Sequence, residues 1–143
     1  MIKFVRSTDV LPLRSLVLRN GKPLQECVFP FDDAEGSFHL ANTRDHDIIS
    51  VVTFHAANHR KFEGKGYQLR GMATLPEYQG KGAGNELVNF AITYLRGQNA
   101  NYIWCNARKA ALSFYKGLGF EIVSEEFEIE GIGAHYEMYL KIK

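Results

Sequence analysis

Tyr67-Gln68-Leu69-Arg70-Gly71-Met72-Ala73-Thr74-Leu75-Pro76-Glu77-Tyr78-Gln79-Gly80-Lys81-Gly82-Ala83-Gly84 joins an extended segment to a glycine-rich turn. Leu87, Val88, Ala91, Tyr94 and Leu95 then repeat at helical spacing until Arg96-Gly97, which predicts one helix of about four turns after the turn. Glycines let the backbone approach an anion, and the helix start adds unpaired N–H groups and the positive end of its dipole. The expected ligand is a phosphate-bearing cofactor. The G-x-x-x-x-G-K-[ST] phosphate loop does not match, because neither Ala83 nor Gly84 has a hydroxyl for magnesium, and the G-x-G-x-x-G dinucleotide order is missing. A nucleotide triphosphatase and a Rossmann dehydrogenase are both disfavoured.

On the N-terminal side of this stretch, Ile2 to Arg6 reads as a strand. A helix follows from Thr8 or Asp9, with Pro12 in its first turn and Leu13, Leu16 and Val17 at helical spacing; Asn20-Gly21 and Pro23 stop it. Ser37 to Asn42 and Ile48 to Ala56 read as a hairpin turned at Thr43 to Asp47, and Asn58 to Gly66 connects onward to Tyr67. Gly64-Lys65-Gly66 within that connection is turn chemistry, since no helical pattern follows it. On the C-terminal side, Tyr102 to Cys105 reads as a buried strand. Ala111, Phe114, Tyr115 and Leu118 mark a helix, and Phe120 to Glu130 and Ala134 to Lys143 read as two strands joined at Gly131-Ile132-Gly133. The expectation is a mixed α/β fold, one domain over residues 1–143, in the order strand, helix, three strands, helix, strand, helix, two strands.

With 45% apolar or aromatic residues the chain can bury a real core, and its net charge of +1 offers no electrostatic case for nucleic acid or anionic lipid as principal partner. His59-Arg60-Lys61 reads as a solvated basic loop. No run approaches the roughly 18 apolar residues of a membrane span, and the segment from Met1 to Arg6 has no apolar signal core. Cys27 and Cys105 are far apart and lack metal-type spacing, so a reducing cytoplasm is the expected setting. The five histidines show no compact ligand spacing, which argues against a metal; Cys105, beside Trp104 in an apolar run, reads as a packed small residue rather than a nucleophile.

Gln79, Gly82 and Gly84 match the acyl-coenzyme A signature Q/R-x-x-G-x-G/A of the GNAT superfamily of N-acetyltransferases, and the chain resembles that family. Asn106-Ala107-Arg108 followed by Ala111, and then Phe114-Tyr115-Lys116-Gly117-Leu118-Gly119-Phe120, are similar to a second family segment. The resemblance is specific from about Gly66 to Phe120. It implies a largely antiparallel central sheet flanked by helices, splayed beside the strand before Gln79, that binds acetyl-CoA and passes its acetyl group directly to a primary amine.

Residue by residue, the resemblance implies that the backbone of Gln79, Gly80, Lys81, Gly82, Ala83 and Gly84 holds the pyrophosphate, with charge from Lys81 if its side chain turns inward. Met72, Ala73 and Thr74 lend main-chain groups to the pantetheine arm, and Tyr115 gives a proton to the departing thiolate. Tyr115 can alternatively belong to the apolar stripe. Asn106 either bonds the arm or caps the next helix, and Arg108 faces a cofactor phosphate, a substrate carboxylate or solvent. Candidates for the general base are Asp32, Asp33, His39, Glu126, Glu128 and His135. The acceptor, a small-molecule or protein amine, is expected between Lys22 to Glu35 and the C-terminal hairpin. The last strand can complete its own sheet or pair across a homodimer, and a non-catalytic acyl-CoA binding module is the alternative function.

Overall fold

A computed structural model describes residues 1–143. Strand β1 (Ile2–Val5) is followed by a helical stretch of three geometries: a 3₁₀ turn at Ser7–Val10, the α-helical turn α1 (Leu11–Leu13), and a π-helical turn at Arg14–Leu18. The sequence predicts a plain α-helix here. The widened turn carries Arg14, whose buried side chain is drawn inward to Asp32 and Thr53. The predicted stop is present: Asn20 and Gly21 adopt φ of 53° and 77°, and the Gly21 N–H reaches back to the Ser15 carbonyl.

Strands β2 (Phe38–Arg44) and β3 (Asp47–Ala56) pair antiparallel, with Arg44 opposite Asp47. Their turn is tighter than the sequence suggests. Only Asp45 and His46 lie outside the ladder, both with positive φ, the geometry that matches the twist of the flanking strands. Strand β4 (Gly66–Thr74) pairs antiparallel with β3 and parallel with β5 (Tyr102–Arg108), the single parallel contact of the sheet. Helix α2 (Ala83–Gly97) connects them, and a 3₁₀ turn with the short α3 (Leu112–Gly117) follows β5.

The reading of Phe120 to Glu130 as one strand is corrected. It forms two short pieces, β6 (Glu121–Ile122) and β7 (Phe127–Ile129), each antiparallel to β8 (Gly133–Lys141). Between them the backbone departs from regular pairing, tied to β8 by the Val123 N–H on the Glu137 carbonyl and the Glu137 N–H on Ser124 Oγ. The sheet order is β1-β2-β3-β4-β5-β8-β6, with β7 also on β8. Strand β8 therefore has a partner from its own chain on both edges and completes its own sheet.

Strand alternation distributes the core to both faces. Leu40, Val52 and Phe54 face Leu87, Val88, Ala91 and Leu95 of α2 in the larger apolar cluster, whereas Ala41, Val51 and Ala73 face Val10 and Leu13 of the first helical stretch. The sheet is thus covered on both sides near β2 to β4. No helix is long and apolar enough to cross a membrane.

Candidate functional site

The parallel pairing of β4 with β5 runs only from Gly66–Tyr102 to Gln68–Trp104, yet β4 continues to Thr74 and β5 to Arg108. Beyond Gln68 the two strands part. A bulge on the other edge of β4 turns it further: Val51 pairs with Ala73 but Thr53 with Arg70, so Gly71 and Met72 oppose the single residue Val52. Gly71 has φ of 62°, and a Cβ there would stand 3.0 Å from Arg14 Nε and 3.1 Å from the Phe29 ring. Glycine is required both by the backbone and by the packing.

The splay opens a cleft of about 710 Å³. Leu69 to Thr74 form one wall and Asn106 and Arg108 the other; Phe114 and Tyr115 of α3 close it from the side, and the turn before α2 closes one end. At that end the Gln79 side-chain amide donates to the Thr74 carbonyl at 3.0 Å and fastens the turn to the strand. Gly80 and Gly82 take φ of 75° and 86°. None of the backbone N–H groups from Gly80 to Asn85 has a partner within the chain, and Gly82, Ala83, Gly84 and Asn85 all line the cleft. Unpaired donors at a helix start form a binding site for an anion.

Tyr115 is buried, its ring edge-on to Phe114 and Phe120 at 5.0 and 5.4 Å between centroids. It belongs to the apolar stripe and also lines the cleft, where its hydroxyl makes no bond to the protein but is not sealed from solvent. Burial, aided by the neighbouring Cys105, pushes the phenol well above its ordinary value, so Tyr115 keeps its proton. Burial likewise raises the Cys105 thiol, as befits a packed residue.

On β8, opposite Arg108, the buried His135 places Nδ1 2.7 Å from the Gly133 carbonyl. Nδ1 is thereby the donor, and Nε2 makes no bond to the protein and still reaches solvent in the cleft. No group of three or more His, Cys, Asp or Glu side chains is arranged to hold a metal ion.

Residues 11–120 match the model of the Acetyltransferase (GNAT) family. The chain belongs to the GNAT family. A curated relative, described as an uncharacterized N-acetyltransferase, YitI, of Bacillus subtilis (strain 168), is 35% identical over 143 residues, covering 99% of this chain and 96% of the relative. Among solved structures, an aminoglycoside 6′-N-acetyltransferase complexed with coenzyme A superposes with a TM-score of 0.79 at 13% identity, covering 100% and 97% of the two chains. The ribosomal-protein-S18-alanine N-acetyltransferase from Escherichia coli gives 0.75 at 18% identity, covering 99% and 93%. The expected largely antiparallel sheet with one splayed strand pair is the fold found, and the protein is an acyltransferase of this family.

In this GNAT enzyme Met72, Ala73, Thr74, Gln79, Gly80, Gly82, Ala83, Gly84, Asn106 and Tyr115 all line the cleft. Lys81 does not: its exposed side chain turns outward, with Nζ 6.0 Å from the centre of the Tyr78 ring. Asn106 does not cap the next helix, since Arg108 and Ala111 stand at the cap positions, which leaves its exposed amide free toward the cleft.

Most of the acidic and histidine candidates lie elsewhere. Buried His39 is satisfied by Thr53 Oγ1 and the Asp32 carbonyl. Buried Asp32 holds Arg14 in a two-point ion pair at 2.7 and 2.9 Å, and Asp33 accepts from Ser7 at the surface. Glu126 is exposed and paired with Lys109 and Tyr136, and Glu128 is exposed outside the cleft. The basic loop is only partly solvated, because His59 is buried against Trp104 with Nε2 2.8 Å from Glu137. Cys27 and Phe29 of the expected Lys22 to Glu35 segment line the cleft, whereas sequence reasoning missed Arg70, Gly71, Tyr78 and Asn85 as lining residues. A glycine inside a strand pattern, as at Gly71, is the one local signal that marks the bulge.

Proposed function

We propose that residues 1–143 form one N-acetyltransferase domain that binds acetyl-CoA and transfers its acetyl group directly to a primary amine in a ternary complex. The observation that carries this reading is the continuity of the unpartnered N–H groups of Gly80, Gly82, Ala83, Gly84 and Asn85, the free edge of β4 and Tyr115 around one cleft. Space at the turn suits the group: Gly80 and Gly82 would have nothing within 4 Å of an added Cβ, so the backbone is open to an approaching phosphate.

Acetyl-CoA supplies an activated acyl carbon in a thioester. The backbone from Gly80 to Asn85 holds the pyrophosphate, and the main chain of Met72, Ala73 and Thr74, with the Asn106 amide, hydrogen-bonds the pantetheine arm. Tyr115 keeps a proton on its hydroxyl for the leaving sulfur; burial secures that protonation state. His135 Nε2 takes the proton that an ammonium group must lose before its nitrogen can attack. Cytoplasmic action on a small-molecule or protein amine completes the proposal.

Release of free coenzyme A thiol from acetyl-CoA, measured across a broad panel of primary amines, tests the reading. Turnover with at least one amine, and N-acetylated product by mass spectrometry, is the expected result. Cofactor-dependent heat protection without thiol release from any amine would support the non-catalytic binding module instead.

A further inference from the structure

At the end of the cleft away from the glycine turn lies a second recess of about 290 Å³. Leu18, Arg19, Arg108 and Ile132 line both spaces, so the recess continues the cleft on its His135 side. None of Gln79 to Asn85 borders it, which separates it from the proposed pyrophosphate site.

Its charge is one-sided. Arg19, Lys22 and Arg108 line the recess against one carboxylate, Glu130, and none of these four makes an ion pair. Arg6, Arg14, Arg44, Lys61 and Lys109 are the Lys and Arg side chains with a carboxylate within ion-pair distance, and none of them lines the recess. The larger cleft has no Asp or Glu in its lining, while Arg70, stacked on Phe29 and Phe31 at 4.7 and 5.0 Å, adds an unpaired guanidinium to its wall. Three cations from two separate segments, the exit of the first helical stretch and the end of β5, thus line one recess against a single carboxylate, which leaves it a positive excess. Such an arrangement attracts an anion and repels a polycation.

Resting on the acetyl-transfer reading, we infer that the acceptor is an amine that also carries an anionic group, held by Arg108, Arg19 and Lys22 while its amine faces His135 and the thioester. Arg108 is the principal contact, because it borders both spaces and its planar guanidinium can meet a carboxylate or phosphate with two hydrogen bonds. Polyamines and other polycationic acceptors are disfavoured by the same charges.

The test compares α-amino acids, ω-amino acids and phosphoethanolamine with the matching carboxamides or uncharged amines, and with spermidine, in the thiol-release assay. Expected is a kcat/KM about tenfold or more higher for the anionic member of at least one pair, the scale of one charge-assisted contact. Which member leads tells carboxylate from phosphate. Arg108→Gln should collapse the anionic-to-neutral KM ratio toward one, Arg108→Lys should restore part of it, and Arg19→Gln and Lys22→Gln should each lower it.

Equal or better turnover of neutral amines or spermidine overturns the inference and leaves acetyl transfer standing. If no amine releases thiol, the same pairs are tested by thermal shift on the coenzyme A-loaded protein. Stabilisation by the anionic member that Arg108→Gln abolishes upholds the recess while the transfer reading fails; absence of that stabilisation overturns the recess as well.

Discussion

Tyr115 illustrates how one side chain serves two purposes at the residue scale. Its ring fills the core between Phe114 and Phe120 while its hydroxyl stays unbonded at the cleft. Tyr115→Phe keeps the packing and removes only the donor, so kcat for a good amine should fall about 10²-fold or more with the acetyl-CoA Kd unchanged. Full turnover in the variant would remove Tyr115 from the mechanism. Arg14 and Asp32 form the buried polar counterpart, tying the first helical stretch to the Phe29–Asp32 segment and, through Thr53, to β3. Burial pushes the Asp32 carboxyl up, but hydrogen bonds from Arg14 and the Phe29 N–H, with the guanidinium charge, outweigh it and hold the folded value below the ordinary 3.8. A lowered carboxyl contributes stability that is present above its unfolded value and is lost as pH falls through the folded one. Asp32→Asn should therefore cost about 3–5 kcal/mol at neutral pH by leaving Arg14 unpaired, and should flatten the loss of stability below about pH 4. Denaturant melts from pH 6 to 2 on both proteins measure this, and parallel curves would refute the assignment.

Elements decide whether the cleft exists. Helix α2 starts from Gly82 in the left-handed region, and its second residue, Gly84, lies so close to α3 that a Cβ would stand 3.1 Å from Phe114 Cζ and 3.5 Å from Met72 Cε. Both of those neighbours line the cleft, so Gly84→Val must push them toward the cofactor space. Acetyl-CoA affinity, by calorimetry, should weaken at least about tenfold with helical content preserved. Gly97→Ala in the same helix, where nothing lies within 4 Å, serves as the control: it should leave affinity intact and stabilise by about 0.5–1 kcal/mol. Unchanged affinity in Gly84→Val would detach the α2–α3 contact from cofactor binding. The elements themselves are largely legible in sequence, because α2, β3 and β4 carry long, regular apolar patterns. The misreadings fall where side-chain demands override local pattern: Arg14 widens a helical turn, and Ser124 and Glu137 interrupt what reads as a single strand.

For the whole molecule, the cleft is a gap in an otherwise continuous sheet, walled by β4, β5, β8, α3 and the turn before α2. A ligand spanning that gap binds the folded state alone, so saturating acetyl-CoA should raise Tm by several degrees, about 2.7 kcal/mol at a hundredfold excess over Kd. No rise in a thermal-shift titration would contradict the cleft as the cofactor site. Sequence by itself determined the glycine turn, the helix after it, the alternating strands and Tyr115 in its stripe, because propensity, periodicity and turn chemistry act over a few neighbouring residues. The tertiary structure alone decided that the splay implied by the family resemblance begins after Gln68, that His135 faces the cleft while His39, Asp32 and Glu126 do not, and that Arg19, Lys22 and Arg108 meet in one recess against the single carboxylate Glu130. Those facts depend on which distant segments pack together, and pairwise burial and charge in three dimensions leave no local pattern in the chain.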